Sequence, residues 1–205
     1  MEKPERKESD EALRWELLEE THPVQDQWMD LRASTYRMPD GSVFTPFYSY
    51  SRRSYVVIVA IDTGGNYICV RQFRPGIKCV TTEFPAGGIE RSDGREYALS
   101  ATDASLAENA LETAQRELLE ETGYESDDWT HLLTVPSNAT ISDNYAYLFL
   151  AKDCRPVGEQ HLDETEFLRV ELHTESEIRE MIRANAFPQA THILAFLLSQ
   201  NPGGI

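Results

Sequence analysis

Three carboxylates lie within about one helical turn of one another in residues 116–124, which read Arg-Glu-Leu-Leu-Glu-Glu-Thr-Gly-Tyr. If this stretch is helical, Glu117, Glu120 and Glu121 share an arc of roughly 100° on one face. Like charges at this spacing cost roughly 0.2–0.5 kcal/mol per pair, so a hard divalent cation bound among them best explains the cluster. The pattern therefore predicts a metal site suited to phosphate chemistry. The alternative is a solvated helix rich in charge.

The helix that carries these carboxylates is defined by local signals at both ends. Ser105 and Glu108 form the Ser-x-x-Glu pattern of a capping box, and Gly123 is suited to the left-handed conformation that ends a helix. Arg116 lies four residues before Glu120, a spacing at which the two side chains can pair. An apolar stripe beside the acidic arc predicts that the helix packs on a sheet while its carboxylates face a cleft. The stripe consists of Ala110, Leu111, Ala114 and Leu118.

A turn-forming loop, Glu-Phe-Pro-Ala-Gly-Gly-Ile-Glu at residues 83–90, follows a predicted apolar strand. Its proline and paired glycines let the backbone turn sharply and approach a ligand. Together with residues 116–124, this loop resembles the Nudix hydrolase family, whose signature is Gly-x5-Glu-x7-Arg-Glu-U-x-Glu-Glu-x-Gly-U, with U an apolar residue. The second half of that signature is matched completely. The matching positions are Glu108, Arg116, Glu117, Leu118, Glu120, Glu121, Gly123 and Tyr124.

The first half of the signature departs from the family. Twenty residues separate Gly87 from Glu108 where the family has five, which implies an insertion of fifteen. Asp93 stands at the unshifted position, but Glu108 keeps the spacing to Arg116 and is the preferred equivalent, either as a site residue or only as a helix cap. The inserted stretch, roughly residues 91–104, is polar and predicts a surface excursion. This excursion is either a lid or specificity element beside the active site or an inert insertion.

Residues 72–75, Gln-Phe-Arg-Pro, are similar to a segment found in one branch of Nudix enzymes, the ADP-ribose pyrophosphatases and related nucleoside diphosphate sugar hydrolases. The resemblance implies that Arg74 grips the diphosphate or the terminal ribose, with Arg71 as a further contact. It also implies that an aromatic ring stacks on the base, with Trp28, from the same or the partner subunit, and Phe47 as the candidates. The plain alternatives are a surface ion pair for Arg74 and a core position for Trp28.

Residues 163–170 are similar to the loop and strand start that bring a catalytic glutamate to ADP-ribose hydrolases. By this resemblance, Glu166 is the closest match to the catalytic glutamate, and the neighbouring Glu164 is a second candidate. The alternative is an ordinary acidic loop without a catalytic role. A carboxylate delivered from a separate loop can orient or deprotonate the attacking water while the helix carboxylates hold metal.

The same resemblance implies a magnesium-dependent reaction, with manganese as a substitute. The carbonyl oxygen of Ala86 and the carboxylates of Glu117 and Glu121 are expected to bind the metal. Glu120 is expected to be a further ligand or a neighbouring group, and Arg116 belongs to the same catalytic set. The metal would bridge the diphosphate oxygens and lower the pKa of a water, and the products would be a nucleoside monophosphate and a sugar phosphate.

Two other functions stay open beside hydrolysis of ADP-ribose or a related nucleotide sugar. One is a Nudix hydrolase for another nucleotide, such as a GDP-sugar, a dinucleoside polyphosphate or a nucleoside triphosphate. The other is a binding module that senses a nucleotide sugar without hydrolysing it. The complete metal-binding half of the signature disfavours the binding module.

Charge and cysteine content narrow the classes of partner. A formal net charge of −16 argues against a nucleic-acid polymer or an anionic membrane, and it leaves a small metal-bound anion as the expected ligand. The three cysteines lack metal-ligand spacing, and the first twenty residues are charged, so a cytoplasmic protein without a secretion signal is expected. No apolar run approaches the length of a membrane span.

The elements that must position these residues predict an α/β fold. We expect residues 51–205 to form a Nudix-type α/β/α sandwich around a mixed sheet. Residues 1–50 are expected to form an N-terminal portion, frayed or helical over 1–20 and antiparallel β thereafter. By resemblance, the antiparallel part supports a homodimer. Strands are predicted near 27–37, 43–50, 55–61, 67–72, 131–135, 145–151 and 167–172, and closing helices at 175–186 and 189–199.

Overall fold

The computed structural model of the protein describes residues 10–90, 110–163 and 166–201. None of the helices in these ranges has the length and apolar character needed to cross a membrane. The strands are β1 (Glu16–Gln25), β2 (Asp30–Arg37), β3 (Val43–Ser51), β4 (Tyr55–Asp62), β5 (Tyr67–Arg74), β6 (Cys79–Glu83), β7 (Ala86–Gly88), β8 (Tyr124–Glu125), β9 (Asp128–Pro136), β10 (Tyr145–Pro156) and β11 (Leu168–His173). The helices are α1 (Ala110–Thr122), α2 (Glu175–Arg183) and α3 (Ala190–Ser199), and a short 3-10 turn covers Asp10–Leu13.

The larger of the two sheets is organised around β4. This strand pairs in parallel with β10 and in antiparallel fashion with β5 and β7. β10 also pairs with β8 and β9, and β5 also pairs with β6 and β11, all in antiparallel fashion. Residues 56–60 of β4, Val-Val-Ile-Val-Ala, are fully buried, as expected for a strand covered on both faces. The mixed sheet predicted from the sequence is therefore confirmed.

Helices cover both faces of this sheet. On one face, Ala114 and Leu118 of α1 pack against Ile58, which confirms the apolar stripe predicted beside the acidic arc. On the other face, Phe196 of α3 packs in a cluster with Val57, and α2 adds to the same layer. Alternate residues of β4 therefore belong to two hydrophobic cores, one on each face of the sheet. The α/β/α layering is confirmed.

The N-terminal portion forms a separate three-stranded antiparallel sheet in the order β1-β2-β3. β2 and β3 confirm the two extended segments predicted there. The prediction of a frayed or helical start was wrong for residues 16–20, because these residues belong to β1. β1 pairs with β2 from Glu16 opposite Arg37 to Gln25 opposite Asp30, and the Glu16 carboxylate lies 2.5 Å from the Arg37 guanidinium. Cross-strand charge pairing of this kind stabilises an acidic strand that a local reading assigns to a helix.

β6 confirms the apolar strand predicted before residues 83–90, whereas two short strands, β7 and β8, were not predicted. β7 lies within the loop predicted as a turn, where Ala86 to Gly88 pair with Val57 to Tyr55 of β4. This pairing fixes the loop to the centre of the sheet. Glu108, Asp93 and the insertion predicted over residues 91–104 lie outside the described residues.

Candidate active site

A cavity of about 520 Å³ lies where α1, β7 and the N-terminal sheet meet. α1 and β7 both contact β4, so the central strand holds the acidic helix beside the glycine-containing strand. Several residues predicted from the sequence share this cavity. They are Trp28, Arg74, Ala86, Arg116, Glu117, Glu120 and Glu166.

Glu117 projects from α1 directly against the backbone of β7. A Cβ atom added at Gly87 would overlap the Glu117 carboxylate, so glycine is required for this close approach. Burial raises the pKa of Glu117 to about 7 against the opposing effect of Arg116, and the charges of Glu120 and Glu166 add to the rise. The carboxylate therefore lies in a place where its charged form is poorly supported by the protein alone.

Glu121 is the most buried of the three helix carboxylates, with 3% of its surface exposed. It accepts a hydrogen bond of 3.0 Å from the backbone N–H of Ala86. Burial raises the pKa of Glu121 well above its ordinary value, although the Ala86 hydrogen bond opposes this, and the charges of Glu117 and Glu166 raise it further. Two neighbouring buried carboxylates with raised pKa values are the arrangement that a bound cation would relieve.

Arg116 joins the other two carboxylates of the arc. Its guanidinium lies 3.1 Å from Glu117 and 2.8 Å from Glu120, which confirms the predicted pairing with Glu120. Among the described residues, no three His, Cys, Asp or Glu side chains are arranged to hold a metal ion as they stand. Glu121 accepts its hydrogen bond from the Ala86 N–H, and the Arg116 guanidinium lies beside Glu117 and Glu120.

The donor chemistry nevertheless fits a hard divalent cation. Carboxylate oxygens and a backbone carbonyl are the ligands that magnesium prefers, and Glu117, Glu120 and Ala86 all line the cavity.

Arg74 reaches the cavity from the end of β5. It lies 2.6 Å from Glu83, which is fully buried, so the ion-pair alternative holds with a buried rather than a surface partner. Burial alone would raise the pKa of Glu83, but hydrogen bonds from Arg74 and Thr81 outweigh it and hold that pKa below its ordinary value. The pair orders the Arg74 guanidinium at the cavity wall.

Of the other predicted substrate-binding residues, one lines the cavity and two do not. Trp28 lines the cavity with 65% of its surface exposed, so the core alternative for this residue was wrong. Phe47 instead packs edge-on against Trp15 and Tyr36 in the N-terminal sheet. Arg71 donates a 3.1 Å hydrogen bond to the Thr82 hydroxyl. Neither Phe47 nor Arg71 is among the described residues that line the cavity.

Glu166 enters the cavity from the loop that precedes β11. Its carboxylate accepts a hydrogen bond from the Asp163 N–H at 3.2 Å, and its own N–H donates to the Asp163 carbonyl at 2.9 Å. This local turn places the carboxylate opposite α1. Glu164 lies outside the described residues.

The same loop is attached to the C-terminal end of α1. The Gln160 side-chain amide donates to the Glu121 carbonyl at 2.6 Å, and the His161 N–H donates to the Glu120 carbonyl at 2.9 Å. These contacts satisfy carbonyls that a helix end leaves unpaired. Residues 160 and 161 are therefore held at the end of the acidic helix.

Sequence reasoning missed about half of the cavity wall. The missed residues come from segments that are far apart in the chain, and no regular spacing in the sequence connects them. Only the Arg52-Arg53 pair, two cations beside a buried strand in an acidic chain, could have been noticed. The missed residues include Arg52, Arg53, Ser137, Asn144, His161 and His192.

Comparison with known proteins identifies a family and several relatives. A family model described as "NUDIX domain" matches residues 51–195. The ADP-ribose pyrophosphatase of Bacillus subtilis strain 168 is 32% identical over 116 residues, covering 56% of this chain and 55% of that protein. The ADP-ribose pyrophosphatase of Mycobacterium tuberculosis H37Rv is 30% identical over 138 residues, covering 66% of this chain and 59% of that protein. The chain thus spans little more than half the length of these curated relatives.

The fold is shared with a solved protein. A crystal structure described as an ADP compounds hydrolase superposes with a TM-score of 0.74 and 20% sequence identity, covering 91% of this chain and 92% of that chain. At this identity the likeness concerns the fold alone.

Proposed function

The chain belongs to the Nudix family, and from this membership we propose that it hydrolyses the pyrophosphate bond of ADP-ribose or a related nucleoside diphosphate sugar with the help of Mg²⁺. The products are a nucleoside monophosphate and a sugar phosphate. One observation carries the proposal: buried Glu117 and Glu121 lie against the Ala86–Gly88 strand beside the cavity that exposes Trp28. Similarity to two ADP-ribose pyrophosphatases supports the choice of substrate.

The metal would be held by Glu117, Glu121 and the Ala86 carbonyl, with Glu120 as a further ligand or a neighbouring group. Mn²⁺ offers the same oxygen-ligand preference. When bound, the cation supplies charge neutralisation at the diphosphate and a lower pKa for water. The raised pKa values of Glu117 and Glu121 support this assignment, because a cation favours their charged forms.

The chain's own residues orient the reactants. Glu166 accepts the proton of the attacking water or holds that water in line with the phosphorus atom. Arg74, ordered by Glu83, grips the diphosphate or the terminal ribose, and the exposed ring of Trp28 stacks on the base. Arg116 adds positive charge between Glu117 and Glu120.

We also propose that two copies of the chain pair through the N-terminal sheet and work in the cytoplasm. This sheet exposes large apolar side chains that a monomer would leave in water, among them Leu17, Val43, Phe44 and Tyr48. All three cysteines are free, as expected in a reducing compartment. Light scattering after size exclusion should give a mass twice the 23.3 kDa of one chain, and a single-chain mass at micromolar concentration would exclude the dimer.

The central test uses Glu121→Gln, which keeps the shape of the side chain but removes its charge. We expect turnover of ADP-ribose to fall by about 100-fold or more with unchanged folding, because the buried carboxylate would no longer bind the cation. The matched control is Glu125→Gln, at a residue that pairs with Arg155 on the surface. Near-full Mg²⁺-dependent activity of Glu121→Gln would refute the mechanism.

The substrate class is tested with the wild-type protein. Product analysis covers ADP-ribose, a GDP-sugar, a dinucleoside polyphosphate and nucleoside triphosphates, each with and without Mg²⁺. Preferred cleavage of ADP-ribose supports the proposal, whereas preference for another nucleotide would favour the second Nudix function. Binding of a nucleotide sugar with no hydrolysis would favour the sensing module.

A further inference from the structure

Two segments that are far apart in the chain are joined along one rim of the cavity. One is residues 50–54, which connect the N-terminal sheet to β4, and the other is residues 141–145, which lead into β10. The Tyr50 N–H donates to the Ile141 carbonyl at 2.8 Å, and the Asn144 amide donates to the Arg53 carbonyl at 3.1 Å. Tyr50, Arg53 and Asn144 all line the cavity, so this junction is part of its wall.

Asp143 lies at the centre of the junction and contacts the N-terminal sheet. Its carboxylate accepts a hydrogen bond of 2.6 Å from the Ser51 hydroxyl and lies 3.1 Å from the Arg32 guanidinium. Arg32 is on β2, and its Nε also donates to the Ser49 hydroxyl of β3 at 3.3 Å. A single carboxylate therefore ties two strands of the small sheet to a loop of the larger domain.

Buried polar atoms are present at the junction. Three atoms, Asp143 Oδ1, Asn144 Oδ1 and Arg53 Nε, are buried and have no hydrogen-bond partner among the described residues. Burying unpaired polar atoms lowers stability, and apolar residues of similar size would avoid that cost. The Asp143 contacts with Ser51 and Arg32 are directional, so they fix how the small sheet is oriented against residues 141–145.

The junction sets the position of the cavity wall that contains Trp28, to which we assign base binding. Gln27 and Trp28 line the cavity from the turn between β1 and β2, and Arg32 lies in the same strand that leaves this turn. The acidic helix and Glu166 belong to the larger domain. The relative placement of Trp28 and the hydrolytic groups thus depends on how the two sheets are joined, and the Asp143–Arg32 pair spans that junction.

We propose that Asp143 is a positioning residue, which acts through Arg32 and Ser51 to hold the base-binding wall of the cavity at a fixed distance from the hydrolytic groups. The inference rests on the proposed function, since it assigns Trp28 and Glu166 to binding and chemistry. It predicts that loss of the contact weakens substrate binding while the chemical step continues at nearly its normal rate.

The test compares Asp143→Asn with Arg32→Gln in steady-state hydrolysis of ADP-ribose. Each variant should raise KM about tenfold and leave kcat within about twofold, because the reacting groups keep their own contacts. The double variant should be no worse than either single one, since both remove the same interaction. Arg32→Lys keeps the charge, so its KM should rise less than that of Arg32→Gln. The matched control is Asp127→Asn, which breaks a surface pair with Arg155 and should not change KM.

A merely structural role would give a different pattern. If KM is unchanged in both single variants, if kcat falls instead, or if the two effects add, the positioning role is wrong. Should Asp143→Asn fail to fold, Arg32→Gln and Ser51→Ala test the same contact from the other side.

Failure of the proposed function can be recognised separately. Calorimetric binding of ADP-ribose to wild-type protein in EDTA gives a readout that does not need hydrolysis. If the wild type binds without hydrolysing, the proposed function is wrong, and an about tenfold weaker binding by Asp143→Asn still supports the positioning role. If the wild type neither binds nor hydrolyses the nucleotide, both proposals are wrong.

Discussion

The contact between Gly87 and Glu117 explains at the scale of single residues why the strand facing the acidic helix contains glycine. The Glu117 carboxylate occupies the space into which any side chain at position 87 would project. The Gly87→Ala variant should therefore displace the carboxylate from the cavity. Turnover is expected to fall about 100-fold, with little change in the unfolding temperature, because the displaced group lies at the edge of an open cavity.

The neighbouring glycine provides the control for this prediction. A Cβ at Gly88 would make only ordinary contacts, with the Arg53 side chain at 3.7 and 3.9 Å. Gly88→Ala should consequently keep most of the activity in the same assay. Equal losses in the two variants would show that the effect comes from loop stiffness rather than from displacement of Glu117.

Spacing along the chain is enough to bring some of the predicted site residues together. Glu117, Glu120 and Arg116 are three and four residues apart on one helix, so a local pattern is enough to place them. Asn144 and Arg53 meet only because β10 pairs with β4, and no local pattern shows which strands will pair. Such contacts can be predicted only when the pairing of the strands is known.

At the scale of elements, the loop before β11 is held by the end of α1. The Gln160 amide caps the Glu121 carbonyl, and Glu166 follows within the same loop. Gln160→Ala should loosen Glu166 relative to α1 and lower kcat about fivefold to tenfold with a smaller change in KM. Steady-state hydrolysis of ADP-ribose measures both constants.

Glu159→Ala is the matched control, because Glu159 is an exposed neighbour in the same loop. It should behave as the wild type. A normal kcat in Gln160→Ala would show that the His161 N–H contact with Glu120 holds the loop without the amide.

The elements themselves were predictable to different degrees. β4 and β5 were predicted nearly within their bounds because buried strands are long apolar runs. β1 was missed because its acidic residues are stabilised by partners on β2, such as the Arg37 guanidinium opposite Glu16. β7 has only three residues, and its pairing with β4 gives no signal in a segment dominated by proline and glycine.

At the scale of the whole molecule, His192 links stability to pH. It lies in α3, is 3% exposed, and accepts a 3.2 Å hydrogen bond from the Phe84 N–H, which requires an unprotonated Nδ1. Burial lowers the pKa of His192 to about 4, against the opposing effect of Glu83. The unfolded chain therefore binds more protons than the folded one between pH 6.5 and 4, and the free energy of unfolding should decrease as the pH falls through this window.

Protonation of this histidine should lower the free energy of unfolding by roughly 3 kcal/mol as the pH falls across this window. Urea unfolding of the wild type and of His192→Gln, at several pH values from 7 to 4.5, measures it. Glutamine can accept the same hydrogen bond but does not titrate, so the variant should lose less stability on acidification. Parallel pH dependences in the two proteins would show that other groups, such as carboxylates, dominate acid unfolding.

The junction around Asp143 also limits how far the chain can be shortened. The match to the family begins at residue 51, which invites trimming of everything before it. A fragment of residues 51–205 would retain the acidic helix, but Asp143 would lose Arg32 as its partner and the cavity would lose Trp28. The fragment would thus keep the acidic helix but lose the wall that we propose binds the base, and its affinity for a nucleotide would be lower than that of the 205-residue chain.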